Sequence, residues 1–296
     1  MTEMLVELDN VSMAYGKGDA AVLAIQDVTL SIRKGEFIAV VGPSGCGKSS
    51  LMKLISGLHA PLTGKLAVEG KPVNGPLKSV GMAFQASNLL PWRTCVDNIL
   101  LPLEIVRPYR SKISSNRAEY KQKAETLLHS VGLKGFTEKF PWQLSGGMQQ
   151  RASICRALIH EPEILMLDEP FGALDAFTRE ELWCTLRDIQ AERKVTVMLV
   201  THDLREAVFL ADTVYVMSDR PGKVVKKCEV DIPRPRNLDV TYTQEFQDIV
   251  HELRSMIGGN TKCNATRFFK TFCPLWPSPS FFSWCGNWSA RYSRCR

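Results

Sequence analysis

The chain has 296 residues, 45% of them hydrophobic, and a net charge of +6, which is enough for one large globular domain with a sizeable core. No run approaches the ~20 apolar residues needed to span a bilayer, and the opening "MTEMLVELDN" lacks the basic-then-apolar layout of a signal peptide. The chain therefore reads as cytosolic, with any membrane role reached through a partner.

The charge excess does not point to nucleic acid. Residues 261–296 hold Lys262, Arg267, Lys270, Arg291, Arg294 and Arg296 and no acid, so removing these six from the 37 basic residues leaves 31 against 31 acidic ones in the body. A DNA-binding surface would leave a basic excess there. Cys46, Cys95, Cys155, Cys184 and Cys228 are scattered singly through the body, the usage of reduced thiols and not of a metal site or a disulfide framework.

Taken in chain order, 5-LVELDNVSMAY-15, 28-VTLSIRKGEFIAVVG-42 and 64-GKLAVEGKPV-73 show the alternation or apolar runs of strands, giving an antiparallel β layer that precedes and flanks a glycine-rich turn. That turn, 42-GPSGCGKSS-50, fits Gly-x-x-x-x-Gly-Lys-[Ser/Thr] from Gly42 to Ser49 and leads into a helix over 49–56. Its near-bare backbone can wrap an anion with inward N–H groups at a helix start; Lys48 would reach the β- and γ-phosphates and Ser49 would ligate Mg²⁺. Cys46 sits inside the loop at a variable position and reads as a filler whose alkylation could block nucleotide.

A helical section of about 86–160 follows. Over 116-NRAEYKQKAETLLHSVGL-133 the residues Ala118, Lys121, Ala124, Leu127, Leu128 and Val131 fall near one face, ending at Gly132, and 145–160 forms a second helix. Strands return at 163–170, 195–203 and 213–218, flanked by helices, which indicates a parallel sheet covered on both faces. An amphipathic helix over 243–258 packs back onto this core. The fold class is α/β: a P-loop NTPase core with a parallel central sheet, an N-terminal antiparallel β subdomain and an inserted α-helical subdomain.

Two further motifs complete the chemistry. In 164-ILMLDE-169 four apolar residues end in Asp168, placed to anchor Mg²⁺ directly or through water, and Glu169, placed to polarise an attacking water. In 144-LSGGMQQR-151 a second anion-binding helix start is capped by Ser145. One nucleotide does not need two cradles from one core, whereas two chains related by a twofold axis would each lend one cradle to each ATP.

"GPSGCGKSS", "LSGGMQQR", "ILMLDEP", "GALD" and "THD", in this order and spacing, resemble the nucleotide-binding subunit of an ATP-binding cassette transporter over residues 4–258. That resemblance implies ATP and Mg²⁺ as cofactors and assigns roles residue by residue. Tyr15 stacks on adenine; Ser44, Gly45, Gly47, Lys48, Ser49 and Ser50 hold the phosphates; Gln85 touches Mg²⁺ and the attacking water and senses the membrane partner. Ser145, Gly146, Gly147 and Gln149 face the γ-phosphate on the opposite subunit. Glu169 takes the place of the general base, acting by orienting water, Asp175 lies in a loop communicating between the two sites, and His202, two strands from Asp168, contacts the γ-phosphate.

A single cassette without spans is similar to importer subunits. The segment 86–104 lies where such proteins dock the permease, and Leu89, Leu90, Trp92 and Ile99 are expected to form an exposed apolar groove there. "LLPWRTCVDNILLPLE", "PFGALDAFTRE" and "VMSDRPGKV" look like the nitrate, sulfonate and taurine branch; pyrimidine-precursor and riboflavin systems have similar ATPases, and cassette ATPases of DNA repair or chromosome maintenance are the other class. The implied partners are a second cassette, identical or not, integral membrane permease subunits, and indirectly a periplasmic or lipid-anchored solute-binding protein, with no nucleic acid. The implied location is peripheral, on the cytoplasmic face of the inner membrane. Residues 1–260 read as the ATPase domain. Residues 261–296 show no period and read as a disordered or aberrant end, from a frameshift or fusion, with a membrane-surface anchor as the rival reading.

Overall fold

A computed structural model describes residues 3–258, apart from 17, 19, 20 and 173. The expectations for 261–296 lie outside the described residues. In chain order, β1 (Met4–Tyr15) and β2 (Val22–Arg33) form a long antiparallel pair, and β3 (Phe37–Val41) leads through the glycine-rich turn into α1 (Lys48–Ile55). Next come β4 (Thr63–Val68), β5 (Lys71–Pro72) and β6 (Val80–Ala83). Four helices follow: α2 (Cys95–Ile105), α3 (Tyr109–Lys112), α4 (Arg117–Ser130) and α5 (Gly146–Leu158). The chain then alternates β7 (Ile164–Asp168), α6 (Ala176–Arg193), β8 (Thr196–Val200), α7 (Leu204–Leu210) and β9 (Thr213–Met217), and closes with β10 (Val224–Glu229) and α8 (Gln244–Gly258).

The strands form two sheets, ordered β2-β1-β4-β5 and β10-β9-β3-β8-β7-β6. The first is antiparallel; in the second every pairing is parallel except that of the edge strand β10 with β9. The run 28–42 is therefore not one strand. It breaks at Lys34–Gly35, where Gly35 has φ +75°, so β2 stays in the antiparallel sheet while β3 enters the parallel one. Glu36 latches the break: its carboxylate accepts from Arg33 N at 2.8 Å and from Thr213 Oγ1 at 2.6 Å.

All five residues of β3 are buried, as befits a parallel strand covered on both faces. Phe37, Ala39 and Val41 pack into the layer that includes α2, α4, α5, α6 and α7, while Ile38 and Val40 join α1 and the antiparallel sheet.

Two amphipathic assignments need correction. On α4 the buried set is Tyr120, Ala124, Leu127 and Leu128, continued by Val131, while Ala118 is exposed: the large ring of Tyr120 covers the core, edge-on to Tyr109. Ile99 is fully buried, facing inward from α2, and Leu89 and Leu90 are half-buried, so only Trp92, 71% exposed, stands out as expected. The segment is held by Asn98, fully buried, whose amide bonds Leu90 N at 2.6 Å and the carbonyls of Leu90, Arg93 and Thr94 at 3.0–3.1 Å.

Because β3, β8, β7 and β6 are parallel neighbours, the segments leaving their C-terminal ends gather on one edge of the sheet, where open α/β sheets place their ligands. The glycine-rich turn, His202, the Asp168–Glu169 pair and Gln85 all fall on that edge.

Candidate nucleotide site

The glycine-rich turn is closely packed against its surroundings. Gly47 has φ +107°, and a Cβ there would lie 2.8 Å from the carbonyl oxygen of Ala24 on β2, so only glycine serves. Lys48, 6% exposed, curls back and donates to the carbonyls of Gly42 at 2.9 Å and Pro43 at 2.8 Å. Cys46 is 1% exposed and belongs to the core, with burial pushing its thiol pKa up. The expectation that Cys46 alkylation would block nucleotide meets a thiol turned away from the surface; only its backbone shapes the turn.

Opposite the turn, Ser49 Oγ donates to Asp168 Oδ1 at 3.1 Å. Burial raises the Asp168 carboxyl above its ordinary range, the Ser49 bond opposes this, and the adjacent Glu169 charge adds to it. A cation would relieve both effects. Glu169 sits in the left-handed region at φ +45°, a conformation uncommon for residues other than glycine and tolerated at functional sites. Its N–H donates to Val200 O at 2.8 Å, and its Oε2 lies 3.3 Å from His202 Nδ1. His202 is closer in the sheet than the sequence reading has it, since β8 is the direct neighbour of β7, with Asp168 opposite Val200.

Next to His202 the flanking residues of "THD", Thr201 and Asp203, join a cluster with Glu206 and Arg179, which none of the five motifs includes. Thr201 Oγ1 donates to Glu206 Oε2 at 2.5 Å and accepts from Asp203 N at 2.9 Å. Arg179, from the first turn of α6, bonds Leu174 O at 3.2 Å and Asp203 Oδ2 at 3.4 Å and lies 3.9 Å from Glu206 Oε1. Glu206 is 3% exposed, and burial pushes its pKa up from 4.5 to about 7 despite the Thr201 bond.

A cavity of about 310 Å³ opens over the turn, lined by Tyr15, Ala24, Ser44, Gly45, Gly47, Lys48, Ser49, Ser50, Glu169 and Arg220. Tyr15 and Ser50 are joined through their hydroxyls at 3.1 Å, and the Tyr15 ring meets His59 edge-on at 5.3 Å and the Lys53 ammonium at 5.6 Å. Asp168 and His202 join the group through Ser49 and Glu169. Arg220 and Ala24 were missed by sequence reasoning: both approach from segments remote in the chain.

The remaining expected residues lie outside this lining. Gln85 is exposed, its Nε2 3.4 Å from where a Cβ on Gly172 would stand. Ser145 caps α5, accepting from Met148 N at 3.3 Å. A Cβ on Gly146 would meet nothing within 4 Å, whereas one on Gly147 would stand 2.5 Å from Thr178 Cγ2. Gln149 points into its own subunit: it donates to Pro141 O at 2.9 Å and Leu144 O at 3.3 Å and accepts from Ser87 Oγ at 3.1 Å. It thus ties the start of α5 to the segment after Gln85. Asp175 caps α6, accepting from Thr178 N at 3.0 Å, a bond that lowers its pKa.

The donors near Asp168 are oxygens, the set a hard cation takes. Among the described residues no group of three or more His, Cys, Asp or Glu side chains converges. A glycine-rich anion cradle, a Lys, a Ser–Asp oxygen pair and a Glu–His pair on one sheet edge define a P-loop nucleotide hydrolase.

Comparison with known proteins refines the class. The ABC transporter family matches residues 25–172. The aliphatic sulfonates import ATP-binding protein SsuB of Bacillus licheniformis is 44% identical over 224 residues, 76% of this chain and 84% of that one. The nitrate import ATP-binding protein NrtD of Synechococcus elongatus is 43% identical over 232 residues, 78% of this chain and 83% of that one. Among solved structures, the cassette MJ0796, in a dimeric post-hydrolysis state bound to ADP and Pi, superposes with a TM-score of 0.66 at 32% identity, covering 77% of this chain and all of the other. This chain belongs to the ABC transporter family, as an ATP-binding cassette that hydrolyses ATP.

Proposed function

We propose that this cassette powers import of a small anion of the sulfonate or nitrate type, working as one of a pair of cassettes, identical or sister, beneath integral membrane permease subunits. Sulfonate and nitrate import are what the names of the relatives state for those proteins; pyrimidine-precursor and riboflavin uptake are the alternative cargoes. Nothing in these relatives favours DNA repair or chromosome maintenance. Among the described residues no helix is long and apolar enough to cross a membrane. We place the cassette peripherally on the cytoplasmic face, with solute delivered to the permease by a separate binding protein. Residues 1–260 form the ATPase domain, with about 86–160 as its inserted helical part, and Trp92 marks the surface offered to the permease.

The observation that carries this reading is the division of the site. Tyr15, the turn residues Ser44, Gly45 and Gly47 to Ser50, and Glu169 surround one cavity, while the capped start of α5 stands outside it with open space at Gly146. In the closed pair, Tyr15 stacks on adenine, and Lys48 leaves the carbonyls of Gly42 and Pro43 for the β- and γ-phosphates. The backbone from Gly45 to Ser50 wraps the phosphate chain. Ser49 and Asp168, with Gln85 beside them, would hold Mg²⁺, which would neutralise the phosphate oxygens. Glu169 orients the attacking water, and His202 steadies Glu169 and meets the γ-phosphate. The partner's Ser145 hydroxyl and the N–H groups of its Gly146 and Gly147 close the far side, with Gln149 and Asp175 holding that surface in place.

Glu169→Gln tests the assignment. The variant is expected to bind ATP with wild-type affinity, lose at least about a hundredfold in kcat, and run as an ATP-bound dimer on size-exclusion chromatography. Near-normal turnover would reject the role given to Glu169.

A further inference from the structure

Within the lining of the ATP cavity one cation is left over. Lys48 is shared between two backbone carbonyls, and Glu169, which follows β7 on the far side of β3 and β8 from β9, brings negative charge to the lining. Arg220 lines the same cavity, is exposed, and makes no hydrogen bond or ion pair among the described residues. It falls within the stretch "VMSDRPGKV" but in none of the five nucleotide-site motifs.

The turn that carries Arg220 is built against the phosphate-binding turn. Gly222 bridges Ile25 on β2, with Gln26 N donating to Gly222 O and Gly222 N to Ala24 O, both at 3.0 Å. The turn closes on itself through Ser218 N to Lys223 O at 2.9 Å and Lys223 N to Ser218 Oγ at 3.1 Å. A Cβ on Gly222 would stand 2.0 Å from the carbonyl oxygen of Cys46, so this backbone touches the back of the cradle itself. Arg220 is thereby fixed at its base and free at its tip, two residues from a contact with the turn whose N–H groups hold phosphate. A guanidinium matches phosphate oxygens in a fork of parallel hydrogen bonds and cannot lose its charge.

We infer that Arg220 is a nucleotide contact of this cassette, its guanidinium gripping the phosphate chain of ATP from the side of the cavity opposite Glu169. This rests on the ATP-binding reading of the site. It makes the β9–β10 turn, whose sequence 218-SDRPGK-223 lies outside the five motifs, a part of the binding machinery. Arg220 would then contribute to ground-state grip on both ATP and ADP. Its effect should scale with the number of phosphates, unlike that of Tyr15, which addresses the base.

The test is calorimetric titration of full-length wild type, Lys48→Ala and Arg220→Gln with MgATP, MgADP and AMP, at low and at high ionic strength. Arg220→Gln is expected to weaken MgATP and MgADP by roughly tenfold at low salt, less at high salt, and to leave AMP nearly unchanged. Its melting temperature without nucleotide should equal that of wild type, because the side chain is exposed. Wild-type affinity for MgATP in Arg220→Gln would overturn the inference, as would a loss equal for AMP and ATP. Failure of the wild type to bind MgATP, or undiminished binding by Lys48→Ala, would instead overturn the ATP-site reading beneath it.

Discussion

The phosphate-binding turn and the start of α5 are both glycine-rich helix entries, yet the chain treats them differently. The turn is backed by its own subunit at both ends, where Met217 O limits Gly42, Ala24 O limits Gly47 and Cys46 O limits Gly222, while its middle, at Ser44 and Gly45, opens onto the cavity and Ser49 bonds Asp168. The start of α5 is rigid only from behind, where Gly147 presses on Thr178 and Gln149 ties down Pro141 and Leu144. Its front, at Ser145 and Gly146, is exposed. The turn faces a cavity of its own subunit and the start of α5 faces outward, the asymmetry that the proposed sharing of a site between two chains requires.

Two perturbations sharpen the contrast. On the cavity side, Glu206 supports the loop of His202 through Thr201. Its carboxyl, raised to about 7 from 4.5, favours the protonated form in the fold. That contribution is complete below pH ~4.5 and is lost as pH climbs through ~7, leaving a penalty of about 3 kcal/mol on the alkaline side. Glu206→Gln, neutral throughout, should therefore be more stable than wild type at pH ~8 by up to this amount and lose the advantage by pH ~4.5, as read by urea denaturation at both values; parallel pH profiles would contradict the assignment. On the α5 side the effect is smaller. Gly147→Ala is expected to cost about 1–3 kcal/mol, because its Cβ would run into Thr178, whereas Gly146→Ala should be neutral or gain up to about 1 kcal/mol from helix propensity. Equal melting temperatures for the two variants would remove the distinction between a packed and a presented glycine.

Much of the site is legible in the chain because its chemistry is local. Lys48 follows Gly47, Asp168 and Glu169 end one strand, and Ser145 precedes its own helix, so spacing alone brings each set together. What escaped depends on segments that meet only in the fold. Arg220 reaches the cavity because Gly222 bridges Ile25, and Arg179 meets Glu206 because α6 packs beside α7. Polar side chains turned inward escaped for a related reason: Asn98 and Gln149 look like surface residues until the carbonyls they satisfy are in place. The break at Gly35 was hidden because apolar alternation runs on through a change of sheet. Ile99 was misplaced because an apolar residue in a short amphipathic stretch can face the core or a partner, and only tertiary packing decides.

The sharing of each ATP between two chains is tested most directly by mixing two inactive variants. Lys48→Ala disables the turn, and Gly146→Asp places a carboxylate in the open space before α5, where it should repel phosphate without disturbing the subunit. Each variant alone is expected to be nearly inactive, and an equimolar mixture should recover roughly a quarter of wild-type ATPase activity, since half the pairs carry one intact turn facing one intact helix start. A mixture no more active than its components, or full activity in Gly146→Asp alone, would show that each ATP is handled within a single chain.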